Sequence, residues 1–250
     1  MKLIVNADDF GFSTEVNENI IKCHLDGIVS SATILAGGNQ FQEAVKLAKQ
    51  YPNLGIGVHL ALDGPNNIGT KYTSLLNPQT GTFYEDVVAV DKIKKRDFIH
   101  NEMIAEYSLQ IEKVLQSGIS VTHLDHHHHF HLYFPVLKAV IEVARKYNIK
   151  YIRPQKILFQ TKTSILKKIY RLYHQYYLVN KWSTVDGYTN LIGCNSIQME
   201  EKFKSMLNSN KKTIELVVHP LVENGEMDFL TNHETIEIAR NHIINYGDLE

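Results

Sequence analysis

Four apolar runs, spread along the whole chain, each give way to acidic or imidazole side chains. Residues 2–7 run into Asp8 and Asp9. Residues 54–62 carry His59. Residues 119–125 open onto THLDHHHHFH, residues 122–131, where six histidines occupy nine positions. Residues 213–218 end on His219 and Pro220. Between these runs lie stretches with helical spacing. Val16, Ile20 and Ile21 follow the capping residues Ser13 and Thr14. Ala44, Leu47 and Ala48 share a face within 41–51, which Pro52 stops. Residues 97–117, 133–147 and 234–245 also read as helices, and 28–35 and 149–153 as further strands. Strands that alternate with helices at this rhythm argue for right-handed βαβ units in a parallel sheet or barrel. Ligands in such folds collect at the carboxyl ends of the strands. A strand-end aspartate alone often caps a helix, and a lone histidine is often structural. The coincidence of four polar strand ends is what points to a site.

The length of 250 residues suits one α/β barrel, a fold that commonly takes about 250. With 26 basic and 27 acidic residues the net charge is −1, so nothing draws a polyanion over long range and nucleic acid is not an expected partner. Cys23 and Cys194 form no CxxC pair, which disfavours a disulfide framework and a cysteine zinc site. No stretch approaches the ~18 apolar residues of a membrane span, and the first residues lack a signal-like apolar segment. A soluble protein of the cytoplasm, with no membrane partner, is expected.

Two segments break the rhythm. Residues 63–82 are rich in Gly, Pro, Asn and Thr and form a long loop of the kind that is functional or mobile. Residues 155–195 contain a stripe of Ile165, Leu166, Ile169, Leu172 and Tyr176 beside Lys167, Lys168 and Arg171. We read this part as a helical excursion from the barrel, serving as a lid or as a surface for a second copy, so a homodimer is among the expectations. Both segments are expected to shape a pocket, with Tyr72, Tyr84 and Trp182 as aromatic candidates for stacking on a ligand.

Two histidines and a carboxylate make a common hydrolytic metal set. Neutral imidazole and carboxylate suit Zn²⁺ and leave positions open for water and substrate. A neighbouring aspartate then remains available as a base. Alternation along a regular strand would place His123, Asp125 and His127 on one face, which favours His127 over His126 as the inward ligand.

The segments LIVNADDFGFS, GIVSSATIL, GIGVHLAL, VTHLDHHHHFH and ELVVHP follow one another between residues 2 and 220. In this order they resemble the motifs of the YdjC-type carbohydrate deacetylases, which include chitooligosaccharide deacetylases. The resemblance implies a (β/α) barrel-like glycoside hydrolase/deacetylase fold over a single domain, 1–250. It implies metal-dependent removal of an acetyl group from an N-acetylated sugar. It also implies one divalent ion, Zn²⁺ or Mg²⁺, on Asp9, His59 and His127. Asp8 matches the family's general base and His219 the histidine near the leaving group. Arg153, in YIRP, matches a polar residue near the substrate. The family pattern DSHxHxH leaves His126 in place of a serine and His128 at a variable position. Asp125, His129 and His131 are expected to orient the ligands. Residues 155–182 depart most from the family, which leaves the sugar unspecified. Two other readings use the same residues. An Fe(II) facial-triad oxygenase would leave Asp8 without a role. A non-catalytic sugar- or metal-binding protein would leave the retained catalytic set without one.

Overall fold

The computed structural model describes residues 1–64, 66–159, 164–221 and 223–249. The first strand, β1 (Lys2–Phe10), is buried at every residue from Leu3 to Asp8, so both of its faces are covered. That is the burial of an inner strand in a parallel sheet, and its Leu-Ile-Val run supplies it. α1 (Thr14–Leu25), β2 (Ser31–Ile34), α2 (Phe41–Gln50) and β3 (Gly55–Leu60) continue the alternation. Ser13 caps α1 by accepting from Val16 N. Beyond them come α3 (Asp86–Lys95), α4 (His100–Gln116), β4 (His123–His126), α5 (Phe134–Lys146) and β5 (Tyr151–Ile152). The remainder is α6 (Ile165–Val179), β6 (Tyr188–Asn190), α7 (Ser196–Leu207), β7 (Thr213–Val218), α8 (Glu226–Leu230) and α9 (His233–Ala239).

Among the described residues the seven strands form one parallel sheet in the order β5-β4-β3-β2-β1-β7-β6. The sheet curls into a half-barrel with helices outside. The segment after β5 leads from one edge to the other. Arg153 N donates to Leu124 O beside β4, and Leu158 N donates to Tyr188 O in β6. The expected barrel-like architecture and the helical excursion after residue 155 are both present. No helix among the described residues is long and apolar enough to cross a membrane.

Several boundaries differ from the sequence reading. The strand expected over 119–125 begins only at His123 and stops at His126. Residues 127–132 then form a 3₁₀ turn in which His128 and His129 have positive φ, 51° and 55°. Alternation therefore does not carry as far as His127. α3 was not expected, because exposed Val87 and Val88 mask the buried pair Ala89 and Ile93. Arg96, at φ 62°, separates it from α4. α7 was also missed, although Asn195 and Gln198 form a reciprocal capping box at its start. The last helix ends at Ala239, short of 245, because the chain turns back beneath β1. There Leu3 N donates to His242 O and Ile244 N to Leu3 O, and Tyr246 enters the core. The loop 63–82 is tied down by two glutamates of α4. Glu106 accepts from Ile68 N and Gly69 N, and Glu102 from the backbone and hydroxyls of Thr73 and Ser74.

Candidate functional site

The carboxyl ends of β1, β3, β4 and β7 meet at one mouth of the half-barrel. β1 is irregular there: its register with β2 shifts between Ala7 and Phe10, and Asp9 has φ 67°. A non-glycine residue in the left-handed region is strained by about 1–3 kcal/mol, and such strain clusters at functional sites. The irregularity sends neighbouring carboxylates in different directions. Asp8 is buried, while the Asp9 side chain is 25% exposed.

Asp9 Oδ1 is buried without a hydrogen-bond partner. His59 Nε2 lies 3.3 Å from it and His127 Nε2 lies 3.9 Å from it, neither in hydrogen-bond geometry. Both rings are turned by a carboxylate on the far nitrogen. His59 Nδ1 donates to Asp125 Oδ1 at 2.7 Å, and His127 Nδ1 to Asp63 Oδ1 at 2.9 Å. In that tautomer each Nε2 lone pair faces the Asp9 oxygen. Three acceptors converging on a buried point repel one another unless a cation stands among them. The donor set, two imidazoles and one carboxylate, therefore fits a divalent ion. Protons compete for the same lone pairs. Burial disfavours a charged His59, but Asp125 and Asp8 outweigh it and hold its pKa well above the usual histidine value. Burial likewise opposes the Asp9 charge, and the nearby His59 and His127 outweigh it and bring its pKa below the usual carboxylate range.

Two compact groups of metal-binding side chains occur among the described residues, Asp63–His127–His128 and Asp8–His59–Asp125, each sharing a histidine with the convergent point. In both, the carboxylate oxygens already accept hydrogen bonds. Asp63 Oδ2 takes His128 Nδ1 at 2.7 Å. Asp125 Oδ2 takes Thr33 Oγ1 at 2.9 Å and lies 2.6 Å from Arg153 Nη2. These groups orient the imidazoles of the convergent point.

Asp8 is held from behind. Arg153 donates Nη1 to Asp8 Oδ2 at 2.9 Å and Nη2 to Asp8 Oδ1 at 2.6 Å, and Asn6 Nδ2 donates to Oδ1 at 2.9 Å. Burial pushes the Asp8 pKa up most, but the Arg153 charge and hydrogen bond, with the His59 and His219 charges, together outweigh it and keep the carboxyl well below its usual range. Arg153 itself is 0% exposed, with Asp125 and Glu215 as further partners. The sequence expectation that it lies against the substrate needs correction. Its guanidinium is used on carboxylates inside the barrel, and its contact with the site is through Asp8. Glu215 was not anticipated, though a lone acid in the run ELVV was a signal. Burial lifts its pKa to about 7, and Tyr246 Oη donates to it at 2.8 Å.

His219 follows β7 with its side chain 26% exposed and Nε2 3.9 Å from Asp8 Oδ2. Its Nδ1 is buried without a partner. Its backbone is fixed by Glu226, which accepts from His219 N, and by Asn224 Nδ2, which donates to His219 O. Glu226 was not anticipated either. It starts a five-residue helix that has no readable periodicity.

The histidine cluster resolves into separate tasks. His127 faces the convergent point. His126 accepts from Tyr107 Oη at 2.8 Å, and burial lowers its pKa to about 3. His123 stacks on Tyr246 at 3.8 Å, in space that a Cβ on Gly57 would invade at 2.5 Å. Asp125 accepts from His59 Nδ1. His129 does not orient a ligand. It is half-buried, edge-on to His131 and tilted against Tyr188, its Nδ1 unpartnered, with its pKa lowered to about 3 mainly by loss of water around the ring. Its φ of 55° in the turn carries it away from the strand's inward face. The aromatic candidates also have packing partners. Trp182 Nε1 donates to Ile149 O, and Tyr84 stacks on Phe98. Tyr72 is partly buried and hydrogen-bonded to Glu106.

The YdjC-like protein family matches residues 2–242. A carbohydrate deacetylase of Clostridium beijerinckii is 30% identical over 255 aligned residues, covering 100% of both chains. A carbohydrate deacetylase of Vibrio cholerae is 38% identical over 149 residues, 60% of this chain and 57% of the relative, so that match spans little more than half of the relative's length. Among solved structures, a protein of Enterococcus faecalis described as a cellobiose-phosphate cleavage protein superposes with a TM-score of 0.78 at 25% identity. That superposition covers 98% of this chain and 97% of the other. By the extent of these matches, this chain belongs to the YdjC-like family.

Proposed function

We propose that this protein is a metal-dependent hydrolase that removes the acetyl group from an N-acetylated sugar. The observation that carries the reading is the orphaned Asp9 Oδ1 facing His59 Nε2 and His127 Nε2, with the clamped Asp8 carboxylate beside it. The relatives named carbohydrate deacetylases support the substrate class. A divalent ion held by Asp9, His59 and His127 would polarise the acetyl carbonyl and bring the pKa of water to about 7. Asp8, kept ionised and oriented by Arg153, takes a proton from the attacking water. Arg153 makes Asp8 a weaker base than a free carboxylate, and its positioning compensates. The new C–O bond forms as the C–N bond breaks, and the departing nitrogen requires a proton. His219 lies across from Asp8 at the rim and supplies it. Acetate and a free amino sugar result.

A screen of N-acetylglucosamine, its oligomers and its phosphorylated forms for acetate release, with Zn²⁺ and Mg²⁺ each supplied, tests this reading. Metal-dependent release is expected from at least one of them. Folded, metal-loaded protein that releases no acetate from the whole panel refutes the proposal.

A further inference from the structure

The chain after α9 carries a side chain into the floor of the half-barrel. Beyond Ala239 the backbone runs beneath β1, where Ser30 Oγ donates to Ile244 O at 2.7 Å and Tyr246 N donates to Ser31 Oγ at 3.3 Å. Tyr246 opens a 3₁₀ turn, residues 246–248, that Asn245 and Asp248 cap reciprocally. With its backbone fixed there, Tyr246 is joined to Asp8 by two branches of buried side chains. Its hydroxyl donates to Glu215 Oε2 at 2.8 Å, and Glu215 Oε1 accepts from Arg153 Nε at 2.8 Å. Its ring stacks on His123, whose Nε2 lies 3.1 Å from Asn6 Oδ1, and Asn6 Nδ2 donates to Asp8 Oδ1. An amide oxygen only accepts, so His123 Nε2 is the donor in that second branch.

We infer that Tyr246 is a positioning residue for the proposed reaction: through Glu215 it fixes the Arg153 guanidinium, and with it the plane of the Asp8 carboxylate. The inference rests on the reading of Asp8 as the proton acceptor. A guanidinium is a rigid planar fork, and here its Nη pair holds Asp8 while Nε holds Glu215. The bonds to Asp8 alone would let fork and carboxylate swing together. The bond from Nε ties the fork to β7 as well. Glu215 has one oxygen on Arg153 and the other on Tyr246, so the hydroxyl sets how the Glu215 carboxylate is turned. Tyr246 keeps the proton this requires, because burial and the Glu215 charge hold its pKa well above the usual tyrosine value. Hydrogen bonds to ionised groups in a buried setting are strong, so the chain of contacts transmits position. A reacting group displaced by about 1 Å can lose on the order of 10²-fold in rate. Tyr246 thus acts on turnover from the floor of the half-barrel, without meeting the substrate.

Acetate release by the metal-loaded full chain, measured for Tyr246→Phe alone and combined with Arg153→Lys, tests this role. Tyr246→Phe keeps the ring on His123 and removes only the hydroxyl. We expect kcat to fall by about tenfold to a hundredfold, with KM and metal content unchanged. In the Arg153→Lys background, where the fork is already gone, the same substitution should change kcat by less than about twofold. Should Tyr246→Phe not fold, Glu215→Gln, which keeps an acceptor for Arg153 Nε, carries the same test with the same expectations. Turnover at the wild-type rate in Tyr246→Phe overturns the inference, since a tyrosine needed only for packing is replaced by phenylalanine without loss. An equal fractional loss in both backgrounds overturns it too, because the effect then does not pass through Arg153. A wild-type chain that releases no acetate from any sugar of the panel removes the deacetylase reading and this inference with it, whereas an active wild type beside an equally active Tyr246→Phe removes this inference alone.

Discussion

Arg153 grips Asp8 through two parallel hydrogen bonds, 2.9 Å from Nη1 to Oδ2 and 2.6 Å from Nη2 to Oδ1, with both side chains removed from water. The same guanidinium meets Asp125 Oδ2 at 2.6 Å and Glu215 Oε1 at 2.8 Å. One cation thus balances three buried acids behind the proposed site. Removing one partner of a buried ion pair leaves uncompensated charge. We expect Arg153→Ala to lower stability by about 3–5 kcal/mol, read as a lower urea midpoint. Arg153→Lys keeps a charge but not the planar fork. It should hold its metal and lose turnover. An unchanged urea midpoint in Arg153→Ala would show that the network contributes little to stability.

Asp8 and Asp9 are adjacent in sequence yet should fail in different ways. Asp9→Asn weakens the ligand set at the convergent point, so metal content and activity should fall together. Asp8→Asn keeps the size of the side chain and loses the proton acceptor. Metal content near that of the wild type is expected, with turnover lower by about 10²–10⁴-fold. Elemental analysis of the purified variants decides between the roles. Metal lost from Asp8→Asn and kept by Asp9→Asn would mean that they are reversed.

The strand ends that build this site were legible because each closes an apolar run, as at Asp8, His59 and His219. The parallel pairing of the strands followed from the alternation of strand and helix. What remained hidden depends on backbone detail and on distant pairs. Asp9 leaves β1 through a positive φ that its sequence does not announce. His127 was favoured by strand alternation, yet β4 stops one residue earlier and a turn held by Asp63 places the ring. Asp63 sits at the start of the long loop 63–82, where nothing in the sequence marks it as a partner of His127. Arg153 matched a family position near the substrate, whereas its partner Glu215 is 62 residues away and draws it inside. The second half of the chain was least legible. There α7 and α8 carry weak apolar periodicity, and Glu226 is recognisable only once α8 is set against the end of β7.

Glu226 makes a pH-dependent prediction. Burial lifts its pKa from 4.5 to about 7; the hydrogen bond from His219 N opposes the rise and the Asp8 charge adds to it. Between those values the folded chain retains a proton that the unfolded chain has released. Stability therefore falls as pH rises through that window, and the full cost is present above it. Glu226→Gln removes the ionisation and keeps an acceptor for His219 N. It should match the wild type near about pH 4 and exceed it by about 2–4 kcal/mol near about pH 8. Urea unfolding at both values measures this. A difference that does not change with pH would rule out ionisation as its cause.

His219 is expected to serve the leaving amine. Its strand ends where Pro220 withholds a donor from the ladder, so the chain turns with the imidazole at the rim. Glu226 and Asn224 fix the backbone there, and Nε2 lies 3.9 Å from Asp8 Oδ2. A proton donor matters most when the departing nitrogen is basic, because that atom must be protonated as the bond breaks. An aryl acetate has a good leaving group and needs less help. His219→Gln should therefore lose about 10²–10⁴-fold on an acetamido sugar and much less on an aryl acetate, with metal content unchanged. The aryl ester reaction must first be shown to stop when the metal is removed. Equal losses on the two substrates would exclude leaving-group protonation. They would point instead to lost stabilisation of the oxyanion or to structural damage, and a melting curve separates those two, since only damage lowers the transition.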